Sequence, residues 1–335
     1  MRTTQIHEFL VCPSCKKSLK IQDENSVLHC SNCSLRFPTQ KVFAGCEFTS
    51  FAELAVEEIK ENEIKYSGAN LNERYRNFLN WLFKTFKVEE KTFRQNMFQK
   101  LSISENMNIL VTSVGNGDDI INLKSIFSNI KLNIYAQDIS ETMCGFTLLR
   151  LKNENIHIKD INISDLAALP YKSDFFDIVF HFGGINWIKN KSVAMSEMVR
   201  VTKDFGQIAI ADESVGPWLR NSLFGKMMIE NNSLWSAEVP LDDLPTNVNQ
   251  VKLEYMLENC FYFLTFIKDP KFPNVDLDVR HIGPRGGSVR TRFFGKIEGI
   301  DPLLAEAVRR NAIIKGISEV DYLEMVLRKE IELEF

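Results

Sequence analysis

The spacing of apolar residues changes along the chain, and these changes divide it into segments. Between residues 50 and 106, apolar residues recur at three- and four-residue intervals, which predicts helices. The helical stretches are "FAELAVEEIKENEIKY", "RYRNFLNWLFKTF" and "EEKTFRQNMFQKL". From Met107 onward, short apolar runs alternate with amphipathic stretches, a pattern that predicts a parallel sheet covered by helices on both faces. We therefore predict an α/β core, with its functional site at the carboxyl ends of the strands.

The core pattern contains five predicted strands and three predicted helices. The strands are "NILVTSV", "LNIYAQD", "IHIKDI", "FDIVFHF" and "GQIAIADE", and the helices are "DDIINLKSIF", "ETMCGFTLLRLKN" and "KSVAMSEMVRVT". Beyond residue 217 the pattern is less regular. There we predict a helix from Thr246 and two aromatic strands, "FYFLTFIK" and "VRTRFFGKIE", which could close the sheet as an antiparallel edge pair. Residues 301–334 have the pattern of C-terminal helices.

Four cysteines near the N-terminus form two Cys-x-x-Cys pairs. The first pair is Cys12 and Cys15, the second is Cys30 and Cys33, and 14 residues separate the two pairs. Two such pairs supply the four thiolates of a tetrahedral zinc site. Two disulfides would fit poorly in a chain without an export signal. Because four thiolates leave no open coordination position, we predict a structural zinc ion in a ribbon over residues 1–49.

Charge and hydropathy narrow the class of protein. The 335-residue chain has a formal net charge of −4, whereas proteins that act on nucleic acid usually have a basic surplus. No apolar run approaches the roughly 18–20 residues of a membrane span. The N-terminus lacks the apolar core of a signal peptide. We therefore predict a cytoplasmic protein with no membrane span, and the net charge disfavours a nucleic-acid partner without excluding one.

A glycine turn follows the first predicted core strand, in "ILVTSVGNGDDI". It has the first two glycines of a dinucleotide-binding turn, Gly115 and Gly117, but not the third. Asp118 and Asp119 follow, and each close charge pair would repel a diphosphate by roughly 1 kcal/mol or more. No Gly-Lys-Ser/Thr sequence follows, which excludes a P-loop. S-adenosylmethionine (SAM) meets no such objection, because it is a cationic adenosine ligand without phosphate.

Two further landmarks follow in order. Asp138 ends the second strand about twenty residues after the turn, where a carboxylate can accept hydrogen bonds from both ribose hydroxyls. Asp165 lies just after the third strand. Together the turn, "YAQDIS", "SDLAALPYKSDFFDIVF" and "EMVRVTKDFGQIAIADES" resemble the class I SAM-dependent methyltransferases of the ubiquinone/menaquinone type, over about residues 70–215. The resemblance implies a Rossmann-like, seven-stranded sheet.

The resemblance also implies which residues hold the cofactor. They are Ser113, Gly115, Asn116, Gly117, Asp138, Ile139, Asp165, Leu166, His181, Phe182 and Gly183. Gly115 and Gly117 would let the backbone approach the methionine part of SAM. Asp138 would hold the ribose, and Asp165 would accept a hydrogen bond from the adenine amino group. The residues that begin at His181 would lie beside the transferable methyl group.

Two positions depart from the family pattern. Ser113 stands where the family has an acidic residue, and Asp119 replaces the third glycine. Asp118 or Asp119 could supply the missing negative charge for the amino group of SAM. The two carboxylates could equally cap the start of a helix. The sequence leaves both interpretations open.

Methyl transfer from a sulfonium is an in-line displacement, so holding the acceptor close and aligned supplies much of the catalysis. A base is needed only when the acceptor must lose a proton. His281 and His181 are candidate bases, although a packed histidine explains each of them at least as well. Asn186 and Trp187 are candidate substrate residues, although a buried helix start explains them equally.

The stretch "DVRHIGPRGGSVRTRFFGKIE" concentrates positive charge among glycines. Arg280, Arg285 and Arg290 are its candidate substrate residues, because a flexible basic lip could bind an anionic acceptor. A hairpin with a solvated basic face is the alternative. Surplus aromatic residues in the less regular region beyond residue 217 suggest a cap over a hydrophobic acceptor, although core packing explains them at least as well.

The predicted layout has four parts. They are a zinc ribbon (1–49), a helical connector (50–106), a SAM-binding methyltransferase core (107–216) and a substrate-cap region with closing strands and helices (217–335). The leading prediction is a SAM-dependent methyltransferase for a small-molecule acceptor that is anionic, hydrophobic or a natural product. The sequence leaves the oligomeric state open, a homodimer included.

Two alternative functions remain open. The large-subunit rRNA guanine methyltransferases also join a cysteine-rich module to this kind of core, which suggests an rRNA base methyltransferase. Against this, the first 50 residues have only six basic and four acidic side chains, a small surplus for binding phosphates. The ribbon also resembles the small activator subunit of tRNA methyltransferases, which suggests a noncatalytic scaffold.

Overall fold

A computed structural model describes most of the chain. The described residues are 8–22, 27–38, 41–43, 46–51, 71–284, 286–294 and 301–331. The chain divides into two compact units, residues 1–272 and residues 273–335. Within the described residues, no helix is both long and apolar enough to cross a bilayer.

Twelve strands and nine α-helices lie in the described residues. The strands are β1 (Lys20–Gln22), β2 (Val27–His29), β3 (Arg36–Pro38), β4 (Lys41–Phe43), β5 (Cys46–Ser50), β6 (Asn108–Thr112), β7 (Asn133–Asp138), β8 (Asp160–Ile163), β9 (Phe176–Phe182), β10 (Thr202–Glu213), β11 (Val248–Met256) and β12 (Phe261–Lys268). The helices are α1 (Leu71–Thr85), α2 (Glu90–Gln99), α3 (Asp118–Ile126), α4 (Glu141–Asn153), α5 (Lys191–Val201), α6 (Leu223–Asn231), α7 (Val289–Phe294), α8 (Pro302–Lys315) and α9 (Glu319–Glu330).

Nine of these strands form one sheet in the first unit, in the order β11-β12-β10-β9-β6-β7-β8-β5-β4. The neighbours from β10 to β5 pair in parallel, whereas β12, β11 and β4 are antiparallel to their neighbours. The predicted α/β sheet is therefore confirmed. It has two strands more than predicted, because β5 pairs in parallel with β8 and β4 pairs with β5. The boundary predicted at residue 49 falls inside β5.

Three predictions of secondary structure are wrong. The segment predicted as a helix from Thr246 is strand β11, in which apolar and charged side chains alternate as in "VKLEY". The segment "VRTRFF" is helix α7, because Ser288 accepts a hydrogen bond from the amide of Thr291 at 3.2 Å and caps it. The antiparallel edge pair is therefore β11 with β12. The third core strand begins at Asp160, later than predicted.

Two hydrophobic cores lie on opposite faces of the sheet. Side chains alternate along β6, so that Val111 belongs to one core and Leu110 to the other. The first core contains residues of α1, α2, α3 and α4. The second contains residues of α5 and of the N-terminal ribbon. The predicted helices in "RYRNFLNWLFKTF" and "EEKTFRQNMFQKL" are thereby confirmed, whereas nearly all of "FAELAVEEIKENEIKY" lies outside the described residues.

The ribbon packs against the nine-stranded sheet of its own chain. The amide of Val11 donates to the carbonyl of Pro170 at 2.9 Å. Lys16 Nζ lies 2.7 Å from Glu197 Oε2 on α5. Leu28 and Phe37 are buried in the second core. The ribbon therefore shares its hydrophobic core with the α/β domain.

The second unit contains α7, α8 and α9. The side chain of Asp301 accepts hydrogen bonds from two amides at the start of α8, and Gly316 ends this helix in a left-handed conformation. Ser318 caps α9 in the same way as Asp301 caps α8. The predicted C-terminal helices are confirmed within residues 301–331.

Candidate functional site

A cavity of about 510 Å³ opens at the carboxyl ends of the parallel strands in the first unit. Residues at the ends of β7, β9 and β10, residues that follow β6 and β8, and helix α1 form its walls. This volume lies in the range of cavities that bind small molecules. The position is the one expected for the functional site of an open α/β sheet.

Most of the predicted cofactor-binding residues line this cavity. They are Ser113, Gly115, Asp138, Ile139, Asp165, Leu166, Phe182 and Gly183. Of the described residues, Asn116, Gly117 and His181 are not on its wall. The landmarks that lie far apart in the sequence are thus brought together around one volume.

The glycine turn has a left-handed backbone at several positions. Gly115 has a φ of +55° and Gly117 a φ of +85°, conformations that residues with side chains rarely adopt. A Cβ on Gly117 would also lie 3.2 Å from Thr147 Cγ2. Ser113 has a φ of +49° without being glycine, so its backbone is strained. The turn therefore needs glycine at position 117 both for its backbone and for close packing on α4.

Asp138 is buried and ties the glycine turn to β7. Its Oδ2 accepts a hydrogen bond from the amide of Gly115 at 2.9 Å, and its Oδ1 accepts one from the amide of Ser140 at 2.9 Å. Burial raises the pKa of Asp138, and the backbone amides oppose this shift. Because each carboxylate oxygen can accept two hydrogen bonds, the capacity to accept from a ligand hydroxyl remains.

Asp118 and Asp119 are paired with arginines, which neither of the two sequence interpretations anticipated. Asp118 contacts Arg76 at 2.9 Å and Arg150 at 2.5 Å, and Asp119 contacts Arg94 at 2.6 Å. Among the described residues, α3 has no side-chain cap, and neither carboxylate lines the cavity. Burial acts to raise the pKa of Asp118, but the arginines outweigh it and hold this pKa below its usual range.

Asp118 and Asp119 therefore do not repel an anion in the cavity in the way that the sequence predicted. The arginines offset the charges of Asp118 and Asp119 outside the cavity. The acidic side chains on the cavity wall are instead Asp138, Asp165 and Glu213. Asp165 Oδ1 accepts a hydrogen bond from the amide of Ala167 at 2.9 Å. The carboxyl groups that a ligand in the cavity would meet are therefore not those of Asp118 and Asp119.

Sequence analysis missed several residues of the cavity wall. Arg74, Tyr75 and Phe78 come from α1, which was expected only as a connector. Nothing in a helical pattern identifies the face that covers a distant site, so no local signal could have found them. Glu213 lies at the carboxyl end of β10. Its position at the end of a parallel strand, in "ADES", was a usable signal.

His181 is fully buried on β9 and does not line the cavity among the described residues. Its Nδ1 lies 2.9 Å from Thr112 Oγ1, and burial lowers its pKa to about 4. The ring is therefore neutral at physiological pH. This placement is that of a packed residue and does not support the prediction that His181 is a base.

Asn186 and Trp187 lie in a short 3₁₀ turn after β9. The amide of Asn186 donates to Asp212 Oδ2 at 3.0 Å, and its Nδ2 donates to the carbonyl of Glu213 at 2.7 Å. Trp187 lines the cavity and is 47% exposed. Of the two candidate substrate residues, Trp187 can contact a ligand, whereas Asn186 supports the end of β10.

The remaining candidate substrate residues belong to the second unit. The His281 ring accepts a hydrogen bond at 2.9 Å from the backbone amide two residues further on. Arg290 pairs with Asp278 at 3.1 Å. Arg285 lies outside the described residues. The roles of Arg280, His281, Arg285 and Arg290 stay predictions.

The four cysteines of the ribbon converge on one point. Cys12, Cys15, Cys30 and Cys33 have Sγ atoms that all lie within 4.8 Å of one another, and none is in a disulfide. Tetrahedral zinc with bonds of about 2.3 Å places its sulfur ligands roughly 3.8 Å apart, which fits this cluster. Each Cys-x-x-Cys pair lies on a turn with the same hydrogen bond. The amide of Lys16 donates to the carbonyl of Cys12, and the amide of Ser34 donates to the carbonyl of Cys30, both at 2.8 Å. The cluster therefore has the geometry predicted for a closed, structural zinc site.

Comparison with protein families identifies two parts of the chain. Residues 112–210 match the family described as a methyltransferase domain. Residues 4–39 match the Trm112p-like protein family. These matches confirm the predicted class, a methyltransferase domain joined to a zinc ribbon.

Individual relatives are similar over parts of their length. The demethylmenaquinone methyltransferase of Streptomyces avermitilis is 34% identical over 77 residues, which are 22% of this chain and 33% of the relative. This chain thus aligns with about a third of that protein. A solved structure of Haemonchus contortus phosphoethanolamine N-methyltransferase 2 with SAM is 16% identical, with a TM-score of 0.44 over 53% of this chain and 52% of that one. A chain from the complex of the Haloferax volcanii Trm112 methyltransferase activator with a methyltransferase is 11% identical, with a TM-score of 0.40 over 57% of this chain and 96% of that one.

Proposed function

We propose that this chain is a SAM-dependent methyltransferase that acts on a small-molecule acceptor. The observation that carries the proposal is the composition of one cavity. Gly115, Asp138 and Asp165 line one part of it, and Phe182 and Phe261 line another. Polar groups suited to a nucleoside thus meet an apolar surface suited to an acceptor.

The chain's own residues would hold SAM in the following way. The backbone at Gly115 would face the amino-acid part, Asp138 would accept hydrogen bonds from the ribose, and Asp165 would accept one from the adenine amino group. Leu166 and Ile139 would pack beside the nucleoside, since both line the cavity. Bound SAM would supply the electrophilic methyl group. The acceptor would then need only to be held in line with that group.

The apolar part of the wall supports a small, hydrophobic acceptor. Tyr75, Phe78 and Leu82 come from α1, and Trp187 follows β9. Aromatic and aliphatic walls with few polar groups are typical of small-molecule sites. An anionic acceptor was predicted from Arg280, Arg285 and Arg290, and that part of the prediction stays untested. Arg74 and Lys189 are the basic side chains among the described lining residues of this cavity.

The packing of the ribbon favours neither alternative function. Lys16, one of its basic residues, is paired with Glu197 and is not available for a phosphate. Leu10, Leu28 and Phe37 are buried in the core that the ribbon shares with its own α/β domain. A scaffold or an RNA-binding module would keep such surfaces for another molecule. We infer that the ribbon is a structural part of this domain.

Calorimetry with S-adenosylhomocysteine (SAH) tests the proposal directly. The full chain should bind SAH at micromolar concentrations. Asp138→Asn should weaken binding about tenfold to a hundredfold, since hydrogen bonds to charged groups contribute roughly 1.5–3 kcal/mol. The matched control is Asp242→Asn at an exposed position, which should bind as the wild type does. No binding at millimolar SAH would favour the scaffold, and salt-sensitive binding to rRNA fragments would favour the RNA enzyme.

A further inference from the structure

Two consecutive carboxyl groups end strand β10 at the cavity. Asp212 is fully buried; its Oδ2 accepts from the amide of Asn186 at 3.0 Å, and its Oδ1 accepts from the amide of Glu213 at 2.8 Å. Hydrogen bonds from backbone amides stabilise the charged form of a carboxylate. The side chain of Glu213 is in turn hydrogen-bonded to Asp212. Asp212 therefore already has two backbone donors, and the side chain of Glu213 lies beside a second carboxyl group.

Strand register places Glu213 in the apolar part of the cavity wall. Glu213 pairs with Phe261 on β12, and Ala211 pairs with Phe182 on β9. The rings of Phe182 and Phe261 stack with their centres 5.3 Å apart, and both rings line the cavity together with Glu213. The Glu213 side chain is only partly accessible there, so its charge state depends on what else occupies the cavity.

The surroundings of Glu213 oppose its charged form. Burial raises its pKa well above the usual range, and the negative charge of Asp212 raises it further. Burial also raises the pKa of Asp138, but there the amides of Ser140 and Gly115 oppose the shift. At Glu213 burial and the charge of Asp212 act in the same direction, and its own backbone amide opposes them.

Other titratable or charged groups surround the pair. They are Tyr262 on β12, His181 on β9 and, on the remaining cavity wall, Arg74, Tyr75, Asp138, Asp165 and Lys189. Burial lowers the pKa of His181 to about 4, and burial raises the pKa of Tyr262 well above its usual range. Both are therefore neutral near pH 7, and neither supplies the pair with a counter-charge.

We propose that Glu213 is the counter-charge of the cavity: it holds a proton in the free protein, releases it when a sulfonium ligand binds, and takes up the proton that the acceptor loses. This inference rests on the proposed function. It deepens that function by assigning a catalytic residue and by specifying an acceptor whose reacting atom carries a proton.

The proposed cycle balances in atoms and charge. When SAM enters, one proton leaves Glu213 for solvent, and the sulfonium and the carboxylate form a neutral pair. In the transfer step the acceptor's lone pair forms a bond to the methyl carbon, and the carbon–sulfur bond breaks. The bonding electrons of that bond stay on sulfur, which becomes neutral, and the acceptor's proton passes to Glu213. The contents of the apolar cavity are thus neutral both before and after transfer, which avoids an uncompensated buried charge.

Proton release on ligand binding tests the inference without any acceptor. The full chain is titrated with SAM and with SAH in buffers of equal pH but different ionisation enthalpies. The two ligands differ in the methyl group and its sulfonium charge, so effects of their amino and carboxyl groups cancel. We expect SAM to release about one more proton per site than SAH near neutral pH. Glu213→Gln should bind both ligands with no such difference, and Glu230→Gln, at an exposed position on α6, should behave as the wild type does.

The outcomes separate the inference from the function on which it rests. Binding of both ligands with equal proton release would overturn the inference and leave the proposed function intact. A difference that persists in Glu213→Gln would assign the proton to another group and would also overturn it. Failure of both ligands to bind the wild type would overturn the proposed function as well. Should Glu213→Gln not fold, equal proton release by SAM and SAH on the wild type would still overturn the inference.

Discussion

The guanidinium carbon of Arg94 lies 4.1 Å from the centre of the Phe182 ring, so that a buried cation rests on an aromatic wall of the cavity. Arg94 Nη1 also donates to Asp119 Oδ1 at 2.6 Å, at the start of the helix that follows the glycine turn. Its Nε donates to Glu90 at 3.0 Å. One side chain on α2 thus contacts both the glycine-turn helix and the end of β9.

Removing this cation alone should be costly. Arg94→Met leaves the carboxylate of Asp119 buried without its partner, and breaking a buried ion pair typically costs 3–5 kcal/mol. We expect the free energy of unfolding to fall by about that amount in urea denaturation. The double variant Arg94→Met/Asp119→Asn removes the unpaired charge and should recover part of the loss. Arg328→Met, at an exposed position, should change stability by about 0.5 kcal/mol or less. An equal loss in the single and the double variant would contradict this account.

Gly117 should not tolerate a side chain. Gly117→Ala forces a φ of +85° on a residue with a Cβ, and that Cβ would lie 3.2 Å from Thr147 Cγ2. Left-handed strain costs roughly 1–2 kcal/mol, so both stability and SAH affinity should fall. Thr147→Ser removes Cγ2 but keeps the hydroxyl that donates to the carbonyl of Gly115 at 2.7 Å.

The double variant separates crowding from backbone strain. Gly117→Ala/Thr147→Ser should recover the part of the lost stability and SAH affinity that comes from crowding against Thr147. The part that comes from left-handed backbone strain at position 117 should remain lost. Thermal denaturation and SAH calorimetry measure both parts. Gly183→Ala is the matched comparison, because its φ is +71° but a Cβ there would meet nothing within 4 Å. If Gly117→Ala bound SAH as the wild type does, the turn would not be the donor-binding element.

The succession of core strands along the chain and the residues at their ends could be predicted from the sequence, because they follow from local patterns. Each parallel strand is a short apolar run, and the residue after it lies at the functional edge of the sheet. Asp138 and Asp165 were found by this reasoning and do line the cavity. Strand β11 was missed although its alternation was visible, because a helical period was assigned to a stretch with a period of two.

The contacts that determine charge in the site could not be predicted from local patterns. Arg76 and Asp118 are separated by 42 residues, and Lys16 and Glu197 by 181. No periodicity links such positions, so two carboxylates beside a glycine turn looked like part of the ligand site. Their partners exist only once α1, α2 and α4 have packed around the turn. The same reason explains why the wall formed by α1 was missed.

The zinc cluster should stabilise more than the ribbon itself. Cys30 lies in the core that the ribbon shares with α5 and β9, so losing the metal should loosen both parts. We expect the wild type to bind one equivalent of zinc and Cys30→Ser to lose most of it, with a lower melting temperature for the whole first unit. Metal content and thermal denaturation, measured on the same samples, check this. Cys260→Ser changes a cysteine outside the cluster and should keep its zinc. A ribbon that melted alone, with the melting of the remainder unchanged, would contradict the shared core.

The contact between the ribbon and α5 should make stability depend on pH through Glu197. Its Oε2 accepts from Lys16 Nζ at 2.7 Å, and its Oε1 accepts from Arg200 at 2.6 Å. Burial acts to raise the pKa of Glu197, but these cations outweigh it and lower the pKa below 4.5. A carboxyl group with a lowered pKa in the folded state contributes stability above its unfolded pKa, and this contribution is lost as pH falls through the folded value. The wild type should have a larger free energy of unfolding than Glu197→Gln. This difference should be constant near neutral pH and shrink below about pH 4.5.

Urea denaturation at several pH values measures this difference. Glu154→Gln changes an exposed position and is the control. Its free energy of unfolding should differ from that of the wild type by the same amount at every pH in this range. A difference between wild type and Glu197→Gln that grew on acidification would mean that Glu197 is already protonated in the folded protein. The ribbon would then be held on α5 by its apolar contacts alone, and Lys16 would add nothing to its docking.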